Sequence, residues 1–223
     1  MRTISILGAT GSVGASTLDL IRRNRDEWRI VALTANCNVT QLAALAREFG
    51  AEIAVVGDET CLAELRMALA GTGIEAAAGA KALCEAAARP VDLTVAAIVG
   101  CAGLAPTMAA IEQGGTIALA NKEALVSAGD VMTAAVRANG ATLLPVDSEH
   151  NAIFQCLQAN DIADVRWITL TASGGPFRTW SAERIAAEAA EMTEEGIRDL
   201  YDDEGEGEAA ARTVMVRQAS VRA

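Results

Sequence analysis

Thr3-Ile4-Ser5-Ile6-Leu7-Gly8-Ala9-Thr10-Gly11-Ser12-Val13-Gly14 decides the fold. Residues 3–7 alternate and are rich in β-branched side chains, which predicts a strand. From residue 15 to 23 apolar side chains recur at helical spacing, at Leu18, Leu20 and Ile21. The order is strand, glycine turn, helix. Glycines let the backbone turn sharply and approach a pyrophosphate, and the helix N-terminus offers that anion free N–H groups and a positive dipole end. Glycines 8, 11 and 14 are shifted from the common G-x-G-x-x-G spacing, and such a motif alone also occurs as a plain tight βα turn. The strand before it and the helix after it favour nucleotide binding.

The same alternation continues along the chain. Strands are predicted at residues 29–35, 53–56, 74–78, 93–99, 116–120, 141–144 and 165–171. Helices are predicted at 40–48, with Thr40 as cap, and at 58–70, 81–88, 104–113, 124–128, 130–139 and 148–157. Ser181 is expected to cap one more, to about residue 191. The run at 93–99 is apolar throughout, as in a strand buried on both faces. Strands alternating with helices predict an α/β fold built on a doubly wound parallel sheet, a Rossmann-like domain over residues 1–146. Residues 147–191 read as the start of a second, incomplete α/β domain. Residues 192–223 read as an acidic, partly disordered tail.

Ligands of such a sheet lie at the carboxyl ends of its strands. Three polar groups fall there: Asn36-Cys37-Asn38, Asn121-Lys122-Glu123, and Asp147-Ser148-Glu149. The first is where an adenosine ribose is met. It lacks the Asp or Glu that would bind a free 2′-hydroxyl, which favours NADP, although ordinary loop residues fit equally. Asp147 and Glu149 are two carboxylates two residues apart, suited to a hard divalent cation. A Ser-Gly-Gly turn at 173–175 can present N–H groups to a phosphate or hydroxyl.

Composition narrows the function classes. The net charge is −11, but residues 188–208 hold ten acids and one base, a net of −9 that leaves −2 for the rest. No basic face suits nucleic acid. No apolar run is long enough to span a bilayer, and the N-terminus reads as a strand rather than a signal peptide. The five cysteines, 37, 61, 84, 101 and 156, show no pairing pattern, as in a reduced, cytoplasmic protein. Lys81 and Lys122 are the only lysines against sixteen arginines.

Four motifs together resemble the 1-deoxy-D-xylulose-5-phosphate reductoisomerase family: residues 8–14, residues 119–123 (Leu-Ala-Asn-Lys-Glu), residues 145–155 (Pro-Val-Asp-Ser-Glu-His-Asn-Ala-Ile-Phe-Gln) and residues 172–178 (Ala-Ser-Gly-Gly-Pro-Phe-Arg). The resemblance spans residues 1 to about 187. It implies a homodimeric enzyme that uses NADPH and Mg or Mn to isomerise and reduce 1-deoxy-D-xylulose 5-phosphate to 2-C-methyl-D-erythritol 4-phosphate, a step of isoprenoid biosynthesis. It implies that Thr10, Gly11, Ser12, Val13, Asn36, Cys37, Asn38, Asn121 and Glu123 contact NADPH. It implies that Asp147 and Glu149 hold the metal, and that Lys122, Ser148, Glu149 and Ser173 bind the phosphorylated sugar, with Lys122 and Glu149 catalytic. Many members have Gly-Lys where Asn36-Cys37 stands here. The family's later motifs, Asn-Trp-Ser-Met-Gly and Asp-Ser-Ala-Thr-Met-Met-Asn-Lys, are absent, so a truncated chain with a divergent tail is expected.

Two rival enzyme classes fit less well. A semialdehyde dehydrogenase would use Cys101 with a nearby base; the single histidine, His150, lies in another motif, and Cys101 is expected to be a small core residue. A short-chain dehydrogenase would need Tyr-xxx-Lys, but the only tyrosine, Tyr201, has Gly205 four residues on. A nucleotide-binding remnant without catalysis is the remaining alternative.

Overall fold

A computed structural model describes residues 1–158, together with 165, 180, 181 and 184. All but the first residue of the strand expected at 165–171, the Ser-Gly-Gly turn with Ser173, and the tail lie outside the described residues. The chain divides into two compact units, Met1–Asp147 and Ser148–Ala223.

The first unit is one seven-stranded sheet: β1 (Arg2–Leu7), β2 (Trp28–Ala35), β3 (Ile53–Val56), β4 (Glu75–Ala78), β5 (Leu93–Ala96), β6 (Thr116–Leu119) and β7 (Thr142–Pro145). Every pairing is parallel, and the spatial order is β4-β3-β2-β1-β5-β6-β7. The chain builds outward from β1 through β4, then returns to the other side of β1 at β5. That reversal is the switch point where ligands of open α/β sheets bind.

Side-chain parity sets the layers, because successive residues of a strand face opposite sides. In β3, Ala54 and Val56 join one buried cluster while Ile53 and Val55 join another. The first face is covered by α1 (Ser12–Arg23), α2 (Val39–Phe49) and α3 (Leu62–Ala68), through Leu18, Ile21, Leu42, Ala46 and Leu65. The second carries α4 (Gly79–Ala87), α5 (Leu104–Ile111) and α6 (Lys122–Asn139). Its helices pack largely through Ala82, Ala86, Ala87, Ala110 and Ala124, the small side chains that replace aromatics in this core.

Several elements differ from expectation for local reasons. Strand β5 stops at Ala96, and Val99 is 83% exposed, because the chain leaves the sheet at the switch point. Cys101, expected in the core, is exposed at the start of a 3-10 turn, Cys101–Gly103, that precedes α5. Asn38 rather than Thr40 caps α2, its side-chain oxygen accepting from Gln41 N–H at 3.2 Å. The helix expected at 58–70 splits into a 3-10 turn, Glu59–Cys61, and α3. The two helices expected at 124–139 are one run, broken at Ala128 (φ −144°, ψ 28°).

In the second unit, α7 (Ser148–Leu157) leaves Ile153, Phe154 and Leu157 half-buried and Ala152, Gln155 and Cys156 exposed, as its periodicity predicts. Ser181 Oγ accepts from Arg184 N–H at 3.2 Å, the bond expected of a capping serine. Among the described residues no helix is long and apolar enough to cross a membrane.

The start of β1 is clipped to the loop before β5. Thr3 donates to Asp92 Oδ2 through its N–H (2.6 Å) and its hydroxyl (2.9 Å), and Asp92 N–H returns a bond to the Thr3 hydroxyl at 2.9 Å. The bond from the Thr3 N–H, then that from its hydroxyl, holds the Asp92 carboxyl below its ordinary range. A depressed carboxyl stabilises the fold above its unfolded value, and that contribution is lost as pH falls through the folded value. Lowering the pH from about 5 to about 3 therefore weakens the native chain partly through Asp92. Urea unfolding of Asp92→Asn across that range should show a shallower fall than the parent. Parallel curves would remove Asp92 as a contributor.

Candidate functional site

The glycine turn is held by its neighbours on the sheet. Gly8 N–H donates to the Thr34 hydroxyl at 2.9 Å, and Ala9 N–H to the Thr34 carbonyl at 2.7 Å. Gly8 has φ +90°, and a Cβ there would lie 2.6 Å from the Ala97 carbonyl oxygen. A Cβ at Gly14 would run into the Gly8 carbonyl. Both glycines are therefore required by close approach, one to β5 and one to the turn itself.

This geometry leaves the start of α1 open. Gly11 is its cap residue, no side chain caps it, and Gly11 and Ser12 are exposed. The first-turn N–H groups have no intrahelical partners. Free N–H groups at a helix N-terminus can take an anion, and these stand at the carboxyl edge of β1. A dinucleotide fits here: Gly8 and Gly14 admit no Cβ, and the donors are backbone N–H groups. Thr10 is half-buried beside them. Val13 packs its side chain against the first core cluster, so what it can offer a ligand is its backbone.

Asn36, Cys37 and Asn38 are exposed at the carboxyl end of β2. Asn38 is committed to capping α2, and its amide also donates to Gln41 Oε1 at 2.8 Å.

Asn121 follows β6 and is 2% exposed. Its amide nitrogen donates to the carbonyls of Ile98 (2.6 Å) and Gly100 (2.8 Å), and its oxygen accepts from Ala124 N–H at 3.0 Å. The side chain named from sequence as a cofactor contact thus ties the loop after β5 to the N-terminus of α6. Lys122 and Glu123 open α6 and are exposed. Asp147, after β7, is half-buried. The glycine turn, Asn36–Asn38, Lys122–Glu123 and Asp147 all stand at one edge of one parallel sheet. Three strand spacings, roughly 14 Å, separate the ends of β1 and β7.

Ser148 and Glu149 open α7 in the second unit, with the Ser148 hydroxyl 3.1 Å from Glu149 Oε2. His150 beside them is exposed. Carboxylate and hydroxyl oxygens are the donors that Mg or Mn prefers, so Asp147, Ser148 and Glu149 fit such an ion in kind. Among the described residues no group of three or more His, Cys, Asp or Glu side chains converges. The role of Asn121 was missed because Lys122 and Glu123, which follow it in the motif, are polar and exposed. The contacts that engage it come from residues 98 and 100.

Replacing Asn121 by Ala strips two part-buried carbonyls and one buried helix N–H of partners, at a cost of about 2–4 kcal/mol. Asn38→Ala removes an exposed cap and should cost about 1 kcal/mol. Urea denaturation of the two variants gives the ranking. Equal losses would show that the Asn121 bonds add nothing beyond a cap.

Comparison with known proteins agrees with this geometry. Residues 4–129 match the family model for 1-deoxy-D-xylulose 5-phosphate reductoisomerase, and residues 143–195 match its C-terminal domain. The 1-deoxy-D-xylulose 5-phosphate reductoisomerase of Zymomonas mobilis subsp. mobilis is 59% identical over 185 residues, 83% of this chain and 48% of the relative. That of Cereibacter sphaeroides is 57% identical over 189 residues, 84% of this chain and 48% of the relative. The solved enzyme from Zymomonas mobilis in complex with NADPH superposes with a TM-score of 0.77 at 58% identity, covering 87% of this chain and 50% of that one. A DOX-P reductoisomerase in complex with NADPH, fosmidomycin and magnesium gives 0.74 at 42%, covering 83% and 48%. This chain spans about half the length of the curated relatives it matches. Matched by the family model over more than half its residues, the chain belongs to the 1-deoxy-D-xylulose 5-phosphate reductoisomerase family.

Proposed function

We propose that this chain supplies the NADPH-binding half, and the first metal and substrate residues, of an enzyme that isomerises and reduces 1-deoxy-D-xylulose 5-phosphate to 2-C-methyl-D-erythritol 4-phosphate. The observation that carries the proposal is the open N-terminus of α1 beside Gly8 and Gly14, which admit no Cβ, on the sheet edge that also bears Lys122 and Asp147. Support comes from relatives of high identity whose structures hold NADPH, or NADPH with magnesium.

In this reading each group acts by its own chemistry. The N–H groups at the start of α1, with Thr10, Gly11 and Ser12, hold the pyrophosphate. The backbone of Val13 joins them. Asn36, Cys37 and Asn38 border the ribose. Asn121 fixes the start of α6, so that Lys122 and Glu123 are presented at a constant height. Lys122 supplies positive charge to the phosphorylated sugar, and a cation at a helix N-terminus adds to the dipole there. Asp147 and Glu149 hold the divalent ion, with Ser148, Glu149 and Ser173 on the sugar. Bound NADPH supplies a hydride, and a bound Mg or Mn ion withdraws charge from the substrate's carbonyl and hydroxyl oxygens. A homodimer in the cytoplasm follows from the family alone.

Titrating NADPH into the 223-residue protein, followed by nicotinamide fluorescence, tests the binding half. Binding is expected, and Gly14→Ala should weaken it at least about tenfold, since the added Cβ displaces the Gly8 carbonyl from the cradle. Unchanged binding in that variant would sink the cradle assignment. NADPH oxidation with 1-deoxy-D-xylulose 5-phosphate and Mn then tests catalysis. Metal-dependent turnover that falls about a hundredfold or more in Glu149→Gln supports the full reading. NADPH binding without turnover supports the second one, a nucleotide-binding protein without catalysis.

A further inference from the structure

Two of the thiols come together at the carboxyl edge of the sheet. Parallel pairing sets Ala35 at the end of β2 beside Val56 at the end of β3. Past the strands the two loops stay joined. Gly57 N–H donates to the Ala35 carbonyl (2.8 Å), and Asp58 N–H to the Asn36 carbonyl (3.0 Å). The second loop then turns back on itself, with Asp58 Oδ1 accepting from Thr60 N–H at 2.9 Å and Cys61 N–H donating to the Asp58 carbonyl at 3.1 Å. This is the 3-10 turn Glu59–Cys61. It brings Cys61 to the loop after β2, where its thiol donates to the Cys37 carbonyl oxygen at 3.8 Å.

The two sulfurs differ in their surroundings. Cys61 is half-buried and packs against the first core cluster, so it is held in place. Cys37 is exposed. Its carbonyl also accepts from Val39 N–H at 2.9 Å, so its backbone is fixed between the start of α2 and the 3-10 turn while its side chain is free to change rotamer. A disulfide spans Cα atoms about 4.4–6.8 Å apart. A sulfur resting on the main chain of a second cysteine is the arrangement from which that span is reached. The other thiols stand elsewhere: Cys84 in α4 on the opposite face, Cys101 after β5, and Cys156 in α7.

Resting on the nucleotide-binding reading above, we propose that Cys37 and Cys61 form a reversible oxidation site, which a hydroperoxide converts to a disulfide that weakens NADPH binding. The exposed Cys37 thiolate attacks hydrogen peroxide: an S–O bond forms, the O–O bond breaks, and the departing hydroxide takes up a proton as water. The Cys61 sulfur then attacks the resulting sulfenic acid. The S–S bond forms, the S–O bond breaks, and the oxygen leaves as a second water with the Cys61 proton. The thiol pair has lost two electrons and the peroxide has gained them. A dithiol returns them by thiol–disulfide exchange and is itself oxidised. Disulfides that form and break in this way serve as redox sensors in reducing compartments. Here the bridge ties the residue between Asn36 and Asn38 to the turn before α3. The loop that borders the ribose is drawn toward that turn and loses the freedom to close on the nucleotide.

The full 223-residue protein is treated with hydrogen peroxide, desalted, and compared with the reduced protein by peptide mapping and by NADPH titration. Arg47 lies between the two cysteines, so tryptic digestion puts them in separate peptides that only a bridge would join. The joined pair is expected, with NADPH binding weakened about fivefold or more and restored by dithiothreitol. Cys61→Ser should bind NADPH as the reduced parent does and should not respond to peroxide. Absence of the joined peptides overturns the proposal and leaves nucleotide binding intact. A bridge without change in NADPH affinity, or a loss of affinity that persists in Cys61→Ser, overturns the coupling of this pair to the site. Failure of the reduced protein to bind NADPH overturns the underlying reading and the coupling together, while the peptide map still decides the bridge.

Discussion

The contact on which the site depends is that between the glycine turn and the end of β2. Thr34, fully buried, accepts from Gly8 through its hydroxyl and from Ala9 through its carbonyl. Gly8 is thereby pressed against Ala97 at the end of β5, with no room for a side chain. The turn, β2 and β5 are locked at the switch point, and the direction of α1 follows. Because α1 starts there uncapped, its N–H groups remain available for an anion. A stability-driven design would have capped that helix. Its openness is a local cost retained where a ligand is expected.

A second tie sets the other side of the site. The buried amide of Asn121 spans from the loop after β5 to the first turn of α6. Its oxygen and nitrogen together satisfy groups on two segments. Gly103 leaves space for that amide, since a Cβ there would lie 2.5 Å from its nitrogen. Lys122 and Glu123 therefore stand on a braced helix end rather than on a free loop.

Much of the fold was legible in the sequence. The apolar runs of β1, β2, β3 and β6 and the spacing within α1 and α7 are strong local signals, and their alternation dictates a parallel sheet. Glycine and Asn residues marked most of the turns. The misses share one cause, since each turns on a partner distant in sequence. Residues 97–99 are apolar, but leave the sheet where β1 has no more length to pair with. Cys101 is flanked by small residues that look like core, yet it sits in the turn after that departure. Thr40 has a good capping side chain, but Asn38 is placed where its oxygen meets the Gln41 N–H.

The sequence by itself determined which stretches fold into strands and helices, the glycine turn between β1 and α1, and the family to which the motifs belong. Those depend on local backbone freedom and side-chain periodicity, which neighbouring residues carry. Only the tertiary structure decided what each polar residue at the sheet edge is for. Asn38 became a cap and Asn121 a buried tie. A hydrogen bond or a charge acts over a few ångströms of space, and parallel pairing brings residues 36 and 58, or 98 and 121, within that range whatever their separation along the chain.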